Sequence, residues 1–197
     1  FVIPLMAQRG MQVAQKVLAT HLRILLDATA GHSKSEFKLS DLTVALECGG
    51  SDATSALCAN PAIGRFVDRL IEAGGTAIVS ETAEFLGGED VVRTQSQTPE
   101  IADAILTHLS VEEAMMNSDG TDYRGVNPTQ ENIEAGLSTL TEKTMGALCK
   151  IGTSRFAGAL NFGEPPGGEG LYFMNTPFFS PTSLTGMVLG GAQVSLF

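Results

Sequence analysis

The run Leu42-Thr-Val-Ala-Leu-Glu-Cys-Gly-Gly-Ser-Asp52 constrains the fold of this chain more than any other stretch. A short apolar segment, with Val44 and Leu46 suited to a buried strand, stops abruptly in a carboxylate, a thiol, two glycines, a hydroxyl and a second carboxylate. Gly49-Gly50 permits a tight turn or a close approach of backbone to ligand. Polar groups delivered at the carboxyl end of a buried strand occupy the place where open α/β sheets bind their ligands.

Around that run, apolar β-type segments alternate with helical patterns. Strands are expected at Phe1–Met6, Leu42–Leu46, Thr76–Val79, Ala147–Ile151, Leu171–Met174 and Gln193–Phe197. Helices are expected over Met11–Asp27, from Asn60 to a stop at Gly74-Gly75, and over residues 99–117. Asn60-Pro61 and Asn127-Pro128 look like N-cap and first-turn pairs, and Thr139-x-x-Glu142 like a capping box. Strands separated by helical patterns indicate βαβ units, hence an α/β fold: a Rossmann-like, mostly parallel sheet of about six strands flanked by helices. Residues 1–197 are expected to form one α/β domain. Right-handed crossovers then bring all strand ends to one edge. The groups gathered there are Gln8-Arg9, Glu47 to Asp52, Ser80-Glu81, Lys150 and Asn175-Thr176.

Composition narrows the function. A formal charge of −10, from 12 basic and 22 acidic residues, argues against nucleic acid as a partner, because phosphate binding needs clustered Lys and Arg. The apolar runs all fall short of the ~18 residues of a membrane span, so no membrane partner is expected. Cys48, Cys58 and Cys149 are odd in number and contain no CxxC pair, which suits a reducing cytoplasm better than a disulfide framework. The opening Phe1-Val-Ile-Pro-Leu has no initiator methionine, and the reading is of a piece of a longer protein.

Bland alternatives attend each site residue. Gly49-Gly50 could be only a turn, Ser51 or Asp52 only a helix cap, and Cys48 only a small buried hydrophobe. Lys143 and Lys150 are expected in solvent unless a site draws one in. The three histidines, His21, His32 and His108, read as structural or incidental. Glu81 is harder to dismiss, since acids are rarely buried without a partner.

Several blocks in a fixed order carry a resemblance. Glu47-Cys-Gly-Gly-Ser-Asp52, Ala59-Asn-Pro-Ala-Ile-Gly64 and Gly74-Gly-Thr-Ala-Ile-Val-Ser-Glu81 come first. Asn127-Pro, Asn132, Gly136-Leu-Ser-Thr, Glu142-Lys143 and Gly146 follow, then Leu171-Tyr-Phe-Met-Asn-Thr-Pro177, Thr185-Gly and Gly190-Gly-Ala-Gln193. Together they resemble the altronate/galactarate dehydratase family from about residue 5 onward. The resemblance implies removal of water from a sugar acid to give a 2-keto-3-deoxy acid. It also implies a divalent metal, iron(II) in the first instance with manganese or magnesium as alternatives. A related branch expels sulfite from sulfolactate. The small anionic sugar acid would be the partner, in a homo-oligomer with an additional amino-terminal domain or subunit.

On that chemistry, Cys48, Asp52 and Glu81 are the expected metal ligands. Glu81 and Lys143 are the expected catalytic groups, Lys143 for carboxylate binding or proton transfer. Ser51, Asn127, Asn132, Asn175 and Thr176 are expected to bind substrate. Asn175 stands where the family's Met-Asp-Thr-Pro motif has Asp; an amide accepts hydrogen bonds but is no base. That departure keeps a non-catalytic paralogue or assembly module of the same fold open as a third reading.

Overall fold

A computed structural model describes residues 10–33, 35–118, 120 and 127–197. They fall into two compact units, 1–37 and 38–197. The strand expected at Phe1–Met6, and Gln8-Arg9 after it, lie outside the described residues. In the first unit, helix α1 spans Met11–Ala30, three residues beyond the expected end. Leu22, Ile24, Leu25 and Leu26 on it are exposed.

The second unit is built on five parallel strands: β1 (Thr43–Leu46), β2 (Thr76–Val79), β3 (Phe156–Leu160), β4 (Gly170–Met174) and β5 (Val194–Leu196). Their order is β3-β4-β2-β1-β5. Helices α2 (Asn60–Glu72), α3 (Glu89–Thr94), α4 (Pro99–Met116), α5 (Gln130–Glu134), α6 (Leu140–Leu148) and α7 (Ser180–Leu189) complete it. The α/β class and the parallel sheet are as the sequence implies.

Period-two alternation divides the core. Val44 and Leu46, Ala77 and Val79, and Leu171 and Phe173 point to one face, where Val67, Ile105 and Leu148 from α2, α4 and α6 meet them. Ala45, Ile78, Tyr172 and Met174 point to the other, onto Met187 of α7. Phe85 and Phe173 meet edge-on at 5.1 Å between centroids. Burying each such ring stabilises the fold by on the order of 1.5–3 kcal/mol.

Helix α2 ends in a Schellman motif. The Gly75 N–H reaches the Leu70 carbonyl and the Gly74 N–H the Ile71 carbonyl, with Gly74 at φ 82°. The chain therefore enters β2 directly.

Four expectations are corrected. Ala147–Ile151 is not a strand: it closes α6 and makes a 3-10 turn at Cys149–Ile151. A short buried apolar run does not distinguish strand from helix. The fifth strand is instead β3, Phe-Ala-Gly-Ala-Leu, whose small residues carry little strand propensity. Gly158 is needed there because an added Cβ would lie 2.9 Å from the Tyr172 ring. Asn60 does not cap α2: a π-helical turn at Ser55–Ala59 runs straight into it, and Asn60 Nδ2 donates to the Gly146 carbonyl. Asn127-Pro128 is a cis peptide, and the cap of α5 is Thr129, which accepts from the Asn132 N–H. Thr139 does cap α6, but Glu142 reaches back to the Ser138 N–H, one residue earlier than in a capping box.

Candidate functional site

Sheet register assembles the site. Leu46 pairs with Val79, so Glu47 and Ser80 leave the sheet side by side. Val79 pairs with Phe173, which brings Glu81-Thr82 alongside Asn175-Thr176. Ser80 Oγ donates to Glu47 Oε2 at 2.6 Å, and the Cys48 N–H donates to Glu81 Oε2 at 3.1 Å.

Glu81 is the only described non-glycine residue with positive φ, at 68° with ψ 71°. That left-handed conformation costs an L-residue roughly 1–2 kcal/mol. Behind it the 3-10 turn Thr82–Phe85 is buried throughout. Glu81 is the N-cap of that turn, its carbonyl accepting the Glu84 N–H at 2.8 Å, and both carboxylates reach one cluster. Lys150, buried at 2% exposure, arrives from the turn after α6. Its Nζ lies 2.9 Å from Glu84 Oε2 and 3.7 Å from Glu81 Oε2.

One ammonium faces three buried carboxylates, and their protonation reflects the shortfall. Burial and the nearby Glu84 charge push the Glu81 carboxyl up to about 9, against the opposing pull of Lys150. Burial also raises Glu47, partly offset by the Ser80 hydrogen bond. For Glu84, burial is outweighed by the charge and hydrogen bond of Lys150, with help from Lys143, and the group is held below the usual carboxylate range. Lys150 moves up because Glu84 and Glu81 outweigh its own burial. Burial, and then Glu84, raise the Cys48 thiol. Glu47 Oε1 is buried without a hydrogen-bond partner.

Cys48, Glu81 and Glu84 border a cavity of about 210 Å³, with Ser51, Asn132, Lys143 and Phe178 on its other walls. Cys48, Glu81 and Glu84 each offer it one donor atom, all within 4.8 Å of one another. Lys143 is buried; its Nζ donates to Asn127 Oδ1 at 2.9 Å and sits 5.2 Å from the centre of the Phe178 ring. Larger clefts elsewhere, of about 310 and 370 Å³, hold no such cluster.

Of the residues expected from sequence, Cys48, Ser51, Glu81, Asn132 and Lys143 line this cavity. Asn127 supports Lys143. Asn132 ties the turn after β1 to α5, its Nδ2 donating to the Ser51 carbonyl. Asp52 is not brought to the cluster. Its Oδ1 accepts from Thr54 Oγ1, the Ser55 N–H and Ser55 Oγ, which caps the π-helical turn. Those hydrogen bonds, Thr54's first, hold its carboxyl below the usual range. Asn175 Oδ1 accepts from Thr82 Oγ1, and Thr176 is buried behind Glu81. The expected site residues do not include Glu84, although its spacing from Glu81, three residues apart in a run flanked by apolar positions, is a usable signal.

Comparison with known proteins identifies the family. Residues 39–197 match the family described as D-galactarate/Altronate dehydratase, C-terminal. Altronate dehydratase of Bacillus subtilis is 30% identical over 89% of this chain and 35% of its own length. Galactarate dehydratase (L-threo-forming) of Escherichia coli is 32% identical over 80% of this chain and 30% of its own. The (2R)-sulfolactate sulfo-lyase subunit beta of Chromohalobacter salexigens is 38% identical over 70% of this chain and 36% of its own. The chain thus spans about a third of the length of these relatives. A parallel sheet with an acidic cavity at its strand ends, and a match running from residue 39 to residue 197, make this chain a member of the D-galactarate/altronate dehydratase family.

Proposed function

We propose that this chain forms the catalytic region of a metal-dependent hydro-lyase that dehydrates a sugar acid of the altronate or galactarate type to a 2-keto-3-deoxy acid. The observation that carries the reading is the cluster of Cys48, Glu81 and Glu84 facing Lys143 across one small cavity. A divalent cation suits that donor set. Two carboxylates and a thiol converge there, and the proton that Glu81 retains up to about pH 9 marks negative charge that Lys150 alone leaves uncompensated. Iron(II) accepts both oxygen and sulfur ligands, with manganese as the oxygen-preferring alternative. Cys48, Glu81 and Glu84 would hold the cation, which would supply Lewis-acid polarisation of the substrate's oxygens.

This chain's own side chains account for the remaining parts. The Lys143 ammonium, fixed by Asn127 and the Phe178 ring, is placed to pair with an anionic substrate or to exchange a proton with it. Phe178 and the buried turn after β2 form walls of the cavity. Ser51 and Asn132 supply hydroxyl and amide groups at the mouth, on the scale of a sugar acid's hydroxyls.

The sulfo-lyase likeness supports a second reading, in which sulfite instead of water departs from the β-carbon. Anaerobic assay of the full-length protein with iron(II), on a panel of sugar acids and sulfolactate, separates the two. The leading reading expects a 2-keto acid without sulfite; no turnover of any panel member would remove both.

A further inference from the structure

Thr176 was expected to touch substrate, yet it is 2% exposed, and Thr82 and Ser183 around it are sealed entirely. Their hydrogen bonds run between backbone and side chain in both directions. Thr176 Oγ1 accepts the Glu81 N–H at 2.9 Å, and the Thr176 N–H donates to Thr82 Oγ1 at 3.1 Å. Thr82 Oγ1 in turn donates to Asn175 Oδ1 at 2.8 Å. Ser183 Oγ, from α7, lies 3.0 Å from Thr176 Oγ1 and 2.9 Å from the Pro177 carbonyl, which can only accept. The ends of β2 and β4 are thereby clasped at Glu81, the one described non-glycine residue with a left-handed backbone.

We propose that Thr176, backed by Ser183 and by the Thr82–Asn175 pair, is a positioning device: it holds Glu81 in its left-handed conformation and so aims the carboxyl at Cys48 and Glu84 across the cavity. A buried N–H needs an acceptor. In this conformation the Thr176 hydroxyl provides it, and the Glu81 side chain turns back over the strand ends to accept from the Cys48 N–H. Deprived of that hydroxyl, Glu81 has no compensation for its strained backbone and relaxes toward ordinary φ, which swings the carboxyl off its partners. Asn175 serves the clasp through its oxygen alone, so an amide suffices there. None of these four residues needs to meet substrate. The functional half of this inference rests on Glu81 working in the cavity as proposed above; the conformational half does not.

Two variants and two readouts test it. In the full-length protein, Thr176→Val removes the acceptor at nearly constant volume, and Thr176→Ser keeps it. The clasp predicts that a crystal structure of Thr176→Val shows Glu81 at negative φ, whereas Thr176→Ser keeps it near 68°. It also predicts kcat lower by about 10²-fold in Thr176→Val, as displacements of about 1 Å cost elsewhere, with KM within twofold and Thr176→Ser within threefold of the parent. Should Thr176→Val fail to fold, Ser183→Ala is measured in its place, with a kcat loss of about tenfold expected and KM again unmoved. Glu81 remaining near 68° in the variant lacking its acceptor, or a rise in KM with kcat unchanged, would overturn the proposal, the second by returning Thr176 to substrate binding. A parent protein inactive on every acid would remove the dehydratase reading and leave the backbone result to decide the clasp.

Discussion

The turns after β1 and β2 both begin with an acid leaving a buried strand, and from there they diverge. The first, Glu47 to Asp52, surfaces quickly: Gly49 and Gly50 are exposed and Asp52 is spent on capping a helical turn. The second, Ser80 to Leu86, never reaches the surface. It carries a strained glutamate, a second glutamate and a buried lysine partner. Asp52 is held below the usual carboxylate range by local hydrogen bonds, whereas Glu81 is driven far above it by burial and by Glu84. Site-like composition costs nothing in a solvated loop. Burying several charges together is expensive, and so such a cluster is the better marker of chemistry.

Breaking the buried turn should have the largest effect. Lys150→Met removes the ammonium that pairs directly with Glu84 at 2.9 Å and with Glu81 at 3.7 Å. It should lower the unfolding free energy by ~3–5 kcal/mol, because the remaining charges are left uncompensated. Urea denaturation measures this; a loss below ~1 kcal/mol would put the two turns on an equal footing.

The pH dependence of stability should separate the turns by sign. In metal-free protein, Glu81 titrates near 4.5 when unfolded and at about 9 when folded. The folded state therefore binds the extra proton between those values. The stability Glu81 contributes is complete below about pH 4.5 and is lost as pH rises to about 9. Glu81→Gln should flatten that decline. Asp52 behaves oppositely: its folded pKa lies below 3.8, so its contribution is present above that value and vanishes as pH falls through the folded pKa. Denaturation series from pH 3 to 9 on the parent, Glu81→Gln and Asp52→Ala would show both slopes, or refute the assignment if Glu81→Gln tracks the parent.

Gly50→Ala gives the smallest expected change in stability. An added Cβ meets no heavy atom within 4 Å, so unfolding should move by less than ~0.5 kcal/mol. The methyl group does enter the cavity mouth, and kcat/KM for the sugar acid should fall by about tenfold. An unchanged kcat/KM would mean the first turn takes no part in binding.

How much of this the sequence disclosed follows from which physics each residue obeys. β1, β2 and β4 were legible because Val44, Ile78 and Phe173 sit in continuous apolar runs, as doubly covered parallel strands require. β3 was not, because its centre Ala157-Gly158-Ala159 is small, and at Gly158 the constraint comes from Tyr172 on another strand. Cys48, Glu81 and Lys143 could be named from chemistry and resemblance together. The burial of Lys150 could not: Ala147–Ile151 reads as a strand in sequence, and only the helical turn at Cys149–Ile151 directs the side chain inward. Asp52 was overvalued because a helix cap and a metal ligand look the same on paper.

The central claim is that the cation is held by Glu81 and Glu84 of the buried turn after β2 together with Cys48, and not by Asp52 of the exposed turn after β1. Anaerobic calorimetric titration of manganese(II) or iron(II) into the full-length protein and three variants tests it most directly. Glu81→Gln and Glu84→Gln should each weaken binding by more than ~10-fold, and Asp52→Ala should bind as the parent does. Abolished binding in Asp52→Ala, with Glu81→Gln and Glu84→Gln intact, would contradict the account.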